Sequence, residues 1–368
     1  MRFLKRLFLV LFFIALVPAS AIAIFCWRDE GSGIDRLPDV RTLAAPAQRY
    51  DVDVVGYRRG EERSWLTLPE WYIVYSADEY ADYVRDKAPT SFPFFSSVGQ
   101  FWTAYCRMYH LTNDRYEVSP DLHVMNLVIG TSFTIEYVLQ GIYENTVGRL
   151  TEAVGGADTV EDRHARTVAR EYADFLDQTP WYEFPFFRKI GGMWTEIDFT
   201  SADVFRRIER RVALTAGYAA RGAYGWLIGV ATKLSYGSEE QGTVAVMDTL
   251  PAALLAQSPG VRVLEPLDEA TQAVVIPRYA AFTDAVLGLA RNGAVIREIA
   301  GNDEILVTVI APRGWTSQSL NAVVLFSLPV LTDLARHRVA LWVRVAALHD
   351  VVRSLDGSGA TIEHIYDY

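Results

Sequence analysis

The feature that most limits the possible folds is an internal duplication. Residues 79–105 and 171–197 align without a gap at an offset of 92 and share 11 of 27 residues. Both copies read Glu-Tyr-Ala-Asp, then Phe-Pro-Phe-Phe, then Gly-x-x-Trp-Thr. Since chance would give about one or two identities over this length, we infer that one structural unit occurs twice in the chain.

The similarity continues further along the chain at a smaller offset. Five residues match five later ones in order: Tyr137, Gly141, Tyr143, Gly148 and Thr151 match Tyr218, Gly222, Tyr224, Gly229 and Thr232. Each copy therefore predicts an acidic-aromatic helix, a Phe-Pro-Phe-Phe turn, a helix bearing Trp-Thr, and a long apolar helix. We expect residues 67–235 to form one α-helical domain with pseudo-twofold symmetry.

The two long apolar helices allow two interpretations. Residues 122–143 contain one charged residue, Glu136, and residues 212–232 contain one, Arg221. Helices that are apolar all round are either buried in a core or embedded in a membrane. Their glycines and their short connections to hydrophilic helices favour burial, and a chain that crosses the membrane three times is the alternative.

The N-terminus predicts a membrane anchor, residues 1–27. Residues 7–27 are uncharged and would rise about 31 Å as a helix, enough to cross a hydrocarbon core. Arg2, Lys5 and Arg6 precede this run, so the positive-inside rule keeps the N-terminus in the cytoplasm. In a bacterial cell this gives a single-pass inner-membrane protein with most of its chain in the periplasm.

A cleaved signal peptide is the alternative for the N-terminus, because small residues around Ala21 and Ala23 resemble a peptidase site and cleavage would yield a secreted form. Residues 28–66 are expected to be a linker. The two cysteines of the chain are Cys26 and Cys106. With Cys26 inside the predicted membrane segment, we expect no disulfide.

Residues 236–368 change to short β-rich runs and predict a separate α+β domain. At an offset of 66, the stretch from Asp284 to Ile299 matches the stretch from Asp350 to Ile365 at seven positions that include Gly-Ala. Two strand-helix-strand units of this kind predict a ferredoxin-like, βαβ-duplicated domain. Residues 314–336 fit that scheme badly and are interpreted as an inserted helix broken at Pro329. The whole chain is thus expected to be mainly α with an α+β C-terminal part.

Charge and motifs narrow the functional classes. The net charge of −10 repels phosphate backbones, which argues against nucleic-acid binding. The sequence has no Gly-rich phosphate loop, nucleophile elbow, His-Glu-x-x-His or Cys-x-x-Cys motif. These absences favour a protein that is not an enzyme.

The duplicated helices supply candidate ligand-binding residues. Glu79 and Asp82, with their counterparts Glu171 and Asp174, could converge across the pseudo-twofold axis to bind a cation or hold arginines. Trp102 and Trp194 could belong to a binding platform. The alternative interpretation is structural: the carboxylates favour helix dipoles, and both tryptophans are largely buried core residues.

A metal site is the remaining chemical candidate. Cys106 and His110 lie four residues apart on a predicted helix, and His123 is near in sequence. Thiolate and imidazole ligands suit copper(I) or zinc, so a transition metal at Cys106 and His110 is the one cofactor considered. Burial of these side chains for packing is the simpler explanation.

Taken as a sequence, the chain predicts a membrane-anchored extracytoplasmic interaction or assembly protein without catalytic activity. Its expected partners are the membrane, through the N-terminal helix, and other membrane or periplasmic proteins. The alternatives are a ligand- or metal-binding protein that uses a cleft between the helical repeats, and an enzyme whose site carries no recognised motif.

Overall fold

The computed structural model describes residues 20, 24, 26, 50, 52–54, 57–60, 62–113, 116–194, 203–235, 242–258, 260–317 and 321–367. These residues form an α+β fold of helices and two antiparallel sheets. The helices are α1 Glu62–Leu66, α2 Leu68–Asp86, α3 Phe94–Asn113, α4 Pro120–Tyr143, α5 Arg149–Gly155, α6 Val160–Leu176, α7 Phe186–Met193, α8 Val204–Ser235, α9 Ala252–Ala256, α10 Ala280–Arg291 and α11 Leu348–Leu355. A π-helical turn, Glu144–Gly148, joins α4 to α5.

The described residues divide into two compact units. The β unit comprises Met1–Trp71, Gly99–Ser132 and Glu240–Tyr368, and the helical unit comprises Tyr72–Val98 and Phe133–Glu239. A single domain boundary near position 235 therefore does not describe the two units, because residues 99–132 belong to the unit that contains the strands.

Two four-stranded sheets of identical topology form the centre of the β unit. The strands are β1 Gly242–Asp248, β2 Arg262–Pro266, β3 Thr271–Pro277, β4 Ile296–Ile299, β5 Glu304–Pro312, β6 Ala322–Val330, β7 Asp333–Arg344 and β8 Thr361–Ile365. Their order is β2-β3-β1-β4 in the first sheet and β6-β7-β5-β8 in the second, and all neighbours are antiparallel. Both sheets share one hydrophobic core with α10 and α11.

The observed sheets differ from the single ferredoxin-like sheet that the sequence suggests. The strand-helix-strand pattern is present, but a hairpin, β2-β3 or β6-β7, gives each half a complete sheet of its own. The turn at Gly301-Asn302-Asp303 therefore links the two sheets, where a hairpin between neighbouring strands was expected. After each helix a glycine with positive φ, Gly293 or Gly359, starts the return to the fourth strand. Glycine adopts this conformation without strain.

Residues 314–336 contain a hairpin, where an inserted helix was expected. Pro329 lies near the end of β6, which is an edge strand of the second sheet. Proline is tolerated there because an edge strand leaves one row of backbone groups unpaired within the sheet. The carbonyl of Pro329 accepts a hydrogen bond from Gln100 Nε2 at 2.6 Å. The apolar run that contains Pro329 is therefore an edge strand, and Gln100 of α3 donates a hydrogen bond to it.

The end of the predicted linker belongs to the β unit's core. Val52 and Tyr57 are buried against Val246 and Ala273. The Tyr57 hydroxyl donates to Glu298 Oε2 at 2.8 Å, and burial raises the pKa of this phenol. Interpreting all of residues 28–66 as a tether was therefore wrong for this stretch. Residues 28–49 lie outside the described residues.

Cys26 and Cys106 form a disulfide with a Cα–Cα distance of 5.0 Å. The expectation that the two cysteines cannot pair was wrong. Cys26 stands one residue before the end of the apolar run, and Cys106 is buried on α3. The rest of the predicted anchor lies outside the described residues, except for residues 20 and 24.

The aromatic contacts of the two similar segments recur. Tyr80 packs on Phe92 with ring centroids 5.0 Å apart, and Tyr172 packs on Phe184 at 5.1 Å. In both segments a helix is followed by a single 3₁₀ turn and a second helix, over 68–113 and over 160–193. The Phe-Pro-Phe-Phe sequence thus has the same local structure at both places.

His364 is buried in the β unit. Its ring stacks on Trp71 at a centroid distance of 3.5 Å, and its Nδ1 lies 3.0 Å from Thr283 Oγ1. Burial lowers the pKa of this imidazole to about 3. The side chain is therefore a neutral part of the core.

Candidate docking surface

Helix α8 turns an apolar stripe toward the outside of the molecule. Its exposed positions recur every three or four residues and are occupied by Phe205, Ile208, Val212, Ala216, Ala220, Ala223, Leu227 and Val230. This stripe extends over about 38 Å. The opposite side of the helix holds Arg206, Arg210 and Arg211, which are almost fully buried. An ordinary surface helix turns its apolar side to the core and its charged side to solvent. Helix α8 does the opposite: its apolar side is exposed and its arginines are buried.

Helices α4 and α5 carry a second exposed apolar stripe. It consists of Ile135, Leu139, Ile142, Val147, Leu150 and Val154, with Leu139 63% exposed. The π-helical turn between the two helices keeps the stripe continuous. An i→i+5 turn rotates less about the helix axis per residue than an α-helix does. This smaller rotation brings Leu150 and Val154 back into line with Ile135 and Leu139.

The two striped helices run antiparallel. Arg206 Nη1 donates to Thr151 Oγ1 at 2.7 Å, and Arg221 Nη2 donates to Gln140 Oε1 at 3.3 Å. As residue numbers rise along α8, those of its partners fall along α4 and α5.

The two stripes lie on the same side of this helix pair. On each helix the contact residues directly follow stripe residues, as Gln140 follows Leu139 and Arg206 follows Phe205. An equal rotation between stripe and contact face on two antiparallel helices directs both stripes to one side. We call the two stripes together the outer face.

Aromatic residues border the outer face. A Cβ on Gly141 would lie 3.1 Å from the ring of Phe95, and one on Gly222 would lie 2.8 Å from the ring of Phe187. Glycine at both positions lets these exposed rings approach the striped helices closely. Trp226, next to Leu227, is 68% exposed. The apolar surface is therefore wider than the stripes alone.

The inner side of α8 holds a buried charge cluster, which we define as Arg206, Arg207, Arg210 and Arg211 with Glu144, Glu161, Asp162 and Glu209. Arg210 Nη1 donates to Glu144 Oε1 at 2.8 Å, and its Nε lies 3.1 Å from Asp162 Oδ1. Arg206 Nη1 lies 3.1 Å from Glu209 Oε2. Four arginines thus balance four carboxylates.

Glu161 is fully enclosed in this cluster. Arg211 Nε donates to its Oε1 at 2.6 Å and Arg207 Nε to its Oε2 at 3.2 Å. Burial opposes the charge of Glu161, but the two arginines outweigh it and hold the pKa of this carboxyl below its usual range. Turning α8 over would expose these pairs and bury the stripe, so the cluster fixes which face of α8 points outward.

Two of the four predicted carboxylates, Asp82 and Asp174, converge on an arginine. Arg170 lies between Asp82 and Asp174, with its Nη1 3.4 Å from Asp82 Oδ1 and its Nε 2.9 Å from Asp174 Oδ1. It also pairs with Asp78, whose pKa burial raises. Glu171 pairs with Lys189 Nζ at 2.5 Å, and Glu79 lies half-buried on α2. An arginine therefore occupies the position where the sequence suggested either a cation or arginines.

Trp102 and Trp194 differ in burial. Trp102 is 0% exposed in the core of the β unit, as expected for a core anchor. Trp194 is 45% exposed in the helical unit, and its indole N–H donates to Thr215 Oγ1 at 2.9 Å. The expectation that both are largely buried was wrong for Trp194. It follows α7, which ends at Met193 and thus lacks the turns that enclose Trp102 within α3.

The residues of the predicted metal site are not assembled around one point. Cys106 is in the disulfide, so in this form it has no thiolate to offer. The ring of Tyr109 lies 5.6 Å from that of His110 and 5.6 Å from that of His123. Among the described residues there is no group of three or more His, Cys, Asp or Glu side chains that could hold a metal.

The long apolar helices are not buried on all sides. Within the described part of the chain, the stretch Pro120–Gly155 is long and apolar enough to cross a membrane, and 33% of its most apolar window is buried. The expectation of two fully buried central helices was therefore wrong. The three- and four-residue spacing of apolar residues over 205–230, opposite the arginines of 206–211, could have revealed the outer face.

Comparisons of the chain with known protein families, curated proteins and solved structures find no match.

Proposed function

We propose that the chain is a membrane-anchored, extracytoplasmic docking protein that acts by binding and not by catalysis. The observation that carries this proposal is the outer face: two antiparallel helices expose apolar stripes while Arg206 and Arg210 of α8 are paired with carboxylates on the inner side. Exposed apolar patches of this extent mark interaction sites on soluble or membrane-bound proteins.

The disulfide supports the extracytoplasmic location. Disulfides persist in oxidising compartments such as the periplasm and are rare in the cytosol. The positive charges before the apolar run favour the same orientation for residues that follow position 27. The β unit then lies on the same side of the membrane as Cys26.

We also propose that the helical repeats arose by duplication. Supporting this, the contacts of Phe94 with Tyr137 and of Phe186 with Tyr218 recur at centroid distances of 5.6 and 6.1 Å. Gly141 and Gly222 are both pressed against a phenylalanine ring. A duplicated unit would explain why the stripes of α4 and α8 face the same way.

The topology is tested with alkaline phosphatase fused after Gly156, Ser238 or Tyr368 of the full chain. We expect activity at all three positions, because every residue after the anchor is then outside. An inactive fusion at Tyr368 alone or at all three would refute the orientation. Inactivity only at Gly156 would indicate a chain that crosses the membrane three times.

Thiol labelling tests the compartment independently. Protein isolated without reductant should take up no maleimide after denaturation, and it should take up two per chain after reduction. The variant Cys106→Ser serves as the control and should label once without reductant. Two free thiols in the native protein would argue against an oxidising compartment.

A further inference from the structure

We infer that the outer face rests on the surface of a phospholipid bilayer, with α4, α5 and α8 parallel to the membrane plane and their stripes in the outer leaflet. This inference rests on the proposed function and names the ligand of its docking surface.

The chemistry of the stripes favours lipid over a protein partner. Among the described stripe positions none is charged and none has a side-chain hydrogen-bonding group. Protein interfaces typically contain about one hydrogen bond per 100–200 Å², which fixes their register. A hydrocarbon surface needs no such register. The middle of the α8 stripe is formed by Ala216, Ala220 and Ala223, which give a smooth surface without pockets for a partner's side chains.

The other side of the helix pair argues against a transmembrane arrangement of these helices. Helix α6, which packs on α8, carries Arg163 and Arg166, and both bind Asp158 in partly exposed ion pairs. Exposed charges of this kind are costly inside hydrocarbon. A helix pair that is apolar on one side and covered by charged helices on the other is typical of proteins that lie on the membrane interface.

The predicted anchor makes a bilayer the nearest available apolar phase. Because residues 7–27 would hold the chain at a membrane, contact between the outer face and lipid becomes an intramolecular step with a high effective concentration. Aromatic residues at the border, Phe95, Phe187 and Trp226, suit the headgroup region. The chain is acidic, with a net charge of −10, so apolar burial and not charge attraction must drive this contact.

Single introduced cysteines give a direct test in the full-length protein. Both native cysteines are in the disulfide, so an added cysteine is the one reactive thiol of the described chain. Leu139→Cys and Leu227→Cys place an environment-sensitive dye on the two stripes. Leu334→Cys is the matched control, because it replaces a leucine of similar exposure in the β unit.

The labelled proteins are reconstituted into vesicles of phosphatidylcholine with a minor fraction of phosphatidylglycerol. At positions 139 and 227 we expect blue-shifted emission, several-fold quenching by lipids with a nitroxide on the acyl chain, and protection from iodide. At position 334 we expect quenching by iodide alone. Added salt should not change this pattern, because the contact is apolar. Unchanged circular dichroism shows that each variant is folded.

Two results would overturn the inference. Equal iodide quenching at 139, 227 and 334 would mean that the outer face stays in water. Protection from both iodide and lipid nitroxide would mean that protein covers it, and cross-linking through Leu139→Cys would identify a second copy. The phosphatase fusions do not depend on lipid contact, so the inference can fail while the proposed topology holds.

Discussion

Alanine substitution of the two matched tryptophans measures how far the repeats have diverged. Trp102 is fully buried, with ring centroids 5.3 Å from Phe101 and 6.0 Å from Tyr105. Truncating such a side chain loses its transfer free energy and leaves a cavity, which costs about 3–5 kcal/mol. We expect Trp102→Ala to lower the free energy of unfolding of the β unit by this amount.

Trp194→Ala should cost much less. The side chain is 45% exposed, so its removal loses only about half of the buried apolar area that a fully buried tryptophan would lose, and it leaves no closed cavity. Its hydrogen bond to Thr215 is worth about 0.5–1.5 kcal/mol. We expect a total cost of about 1–2 kcal/mol in the helical unit.

Urea unfolding of the full chain in mild detergent, followed by far-ultraviolet circular dichroism, measures both costs. At an m-value of about 2–3 kcal/mol/M, the midpoint should fall by roughly 1–2 M for Trp102→Ala and by less than about 1 M for Trp194→Ala. Trp226→Ala is the exposed control and should stay within about 0.5 kcal/mol of the parent protein. Equal shifts for Trp102→Ala and Trp194→Ala would refute the reasoning from burial.

Two further predictions concern buried ionisable groups. Arg206→Ala removes the buried arginine that pairs with Glu209 and takes one arginine away from Asp162, which keeps Arg210, so it should cost about 3–5 kcal/mol. Arg163→Ala removes an exposed pair and should change stability far less in the same urea assay. His364 should lower stability in acid, because the pKa of its imidazole is 6.5 in the unfolded chain and about 3 in the folded protein. Stability should therefore decrease as the pH falls below 6.5, by about 2 kcal/mol at pH ~5 from this group, and His364→Asn should remove that part of the slope. An unchanged slope in this variant would assign the acid sensitivity to other residues.

Much of the secondary structure could be predicted from sequence because local patterns carry it. The short β-rich runs over 243–247, 261–264, 273–276, 295–299 and 305–310 correspond to β1 to β5. The hairpin β6-β7 could not be predicted, because an apolar run with Pro329 is equally consistent with a broken helix. Its neighbours in the second sheet, brought together only by folding, decide the outcome.

The outer face was harder to predict because residue type alone does not reveal burial. Charged residues are usually exposed, so the sequence around Glu161 alone predicts a solvated helix face. Arg207 and Arg211 bury Glu161, and they come from a helix about fifty residues further along the chain. In the same way, Leu139 and Leu227 looked like core residues. Which side of an apolar helix is covered depends on tertiary partners.

The disulfide connects Cys26 to α3 by a second covalent route besides the backbone. Cys26 and Cys106 are separated by 80 positions in the chain. A protease that cuts once between residues 28 and 49 would break the backbone and still leave both fragments joined through sulfur. Only cutting together with reduction would separate the rest of the chain from the predicted anchor, residues 1–27. If the predicted anchor holds the chain at a membrane, its release would require two conditions at once, proteolysis and a change in redox state.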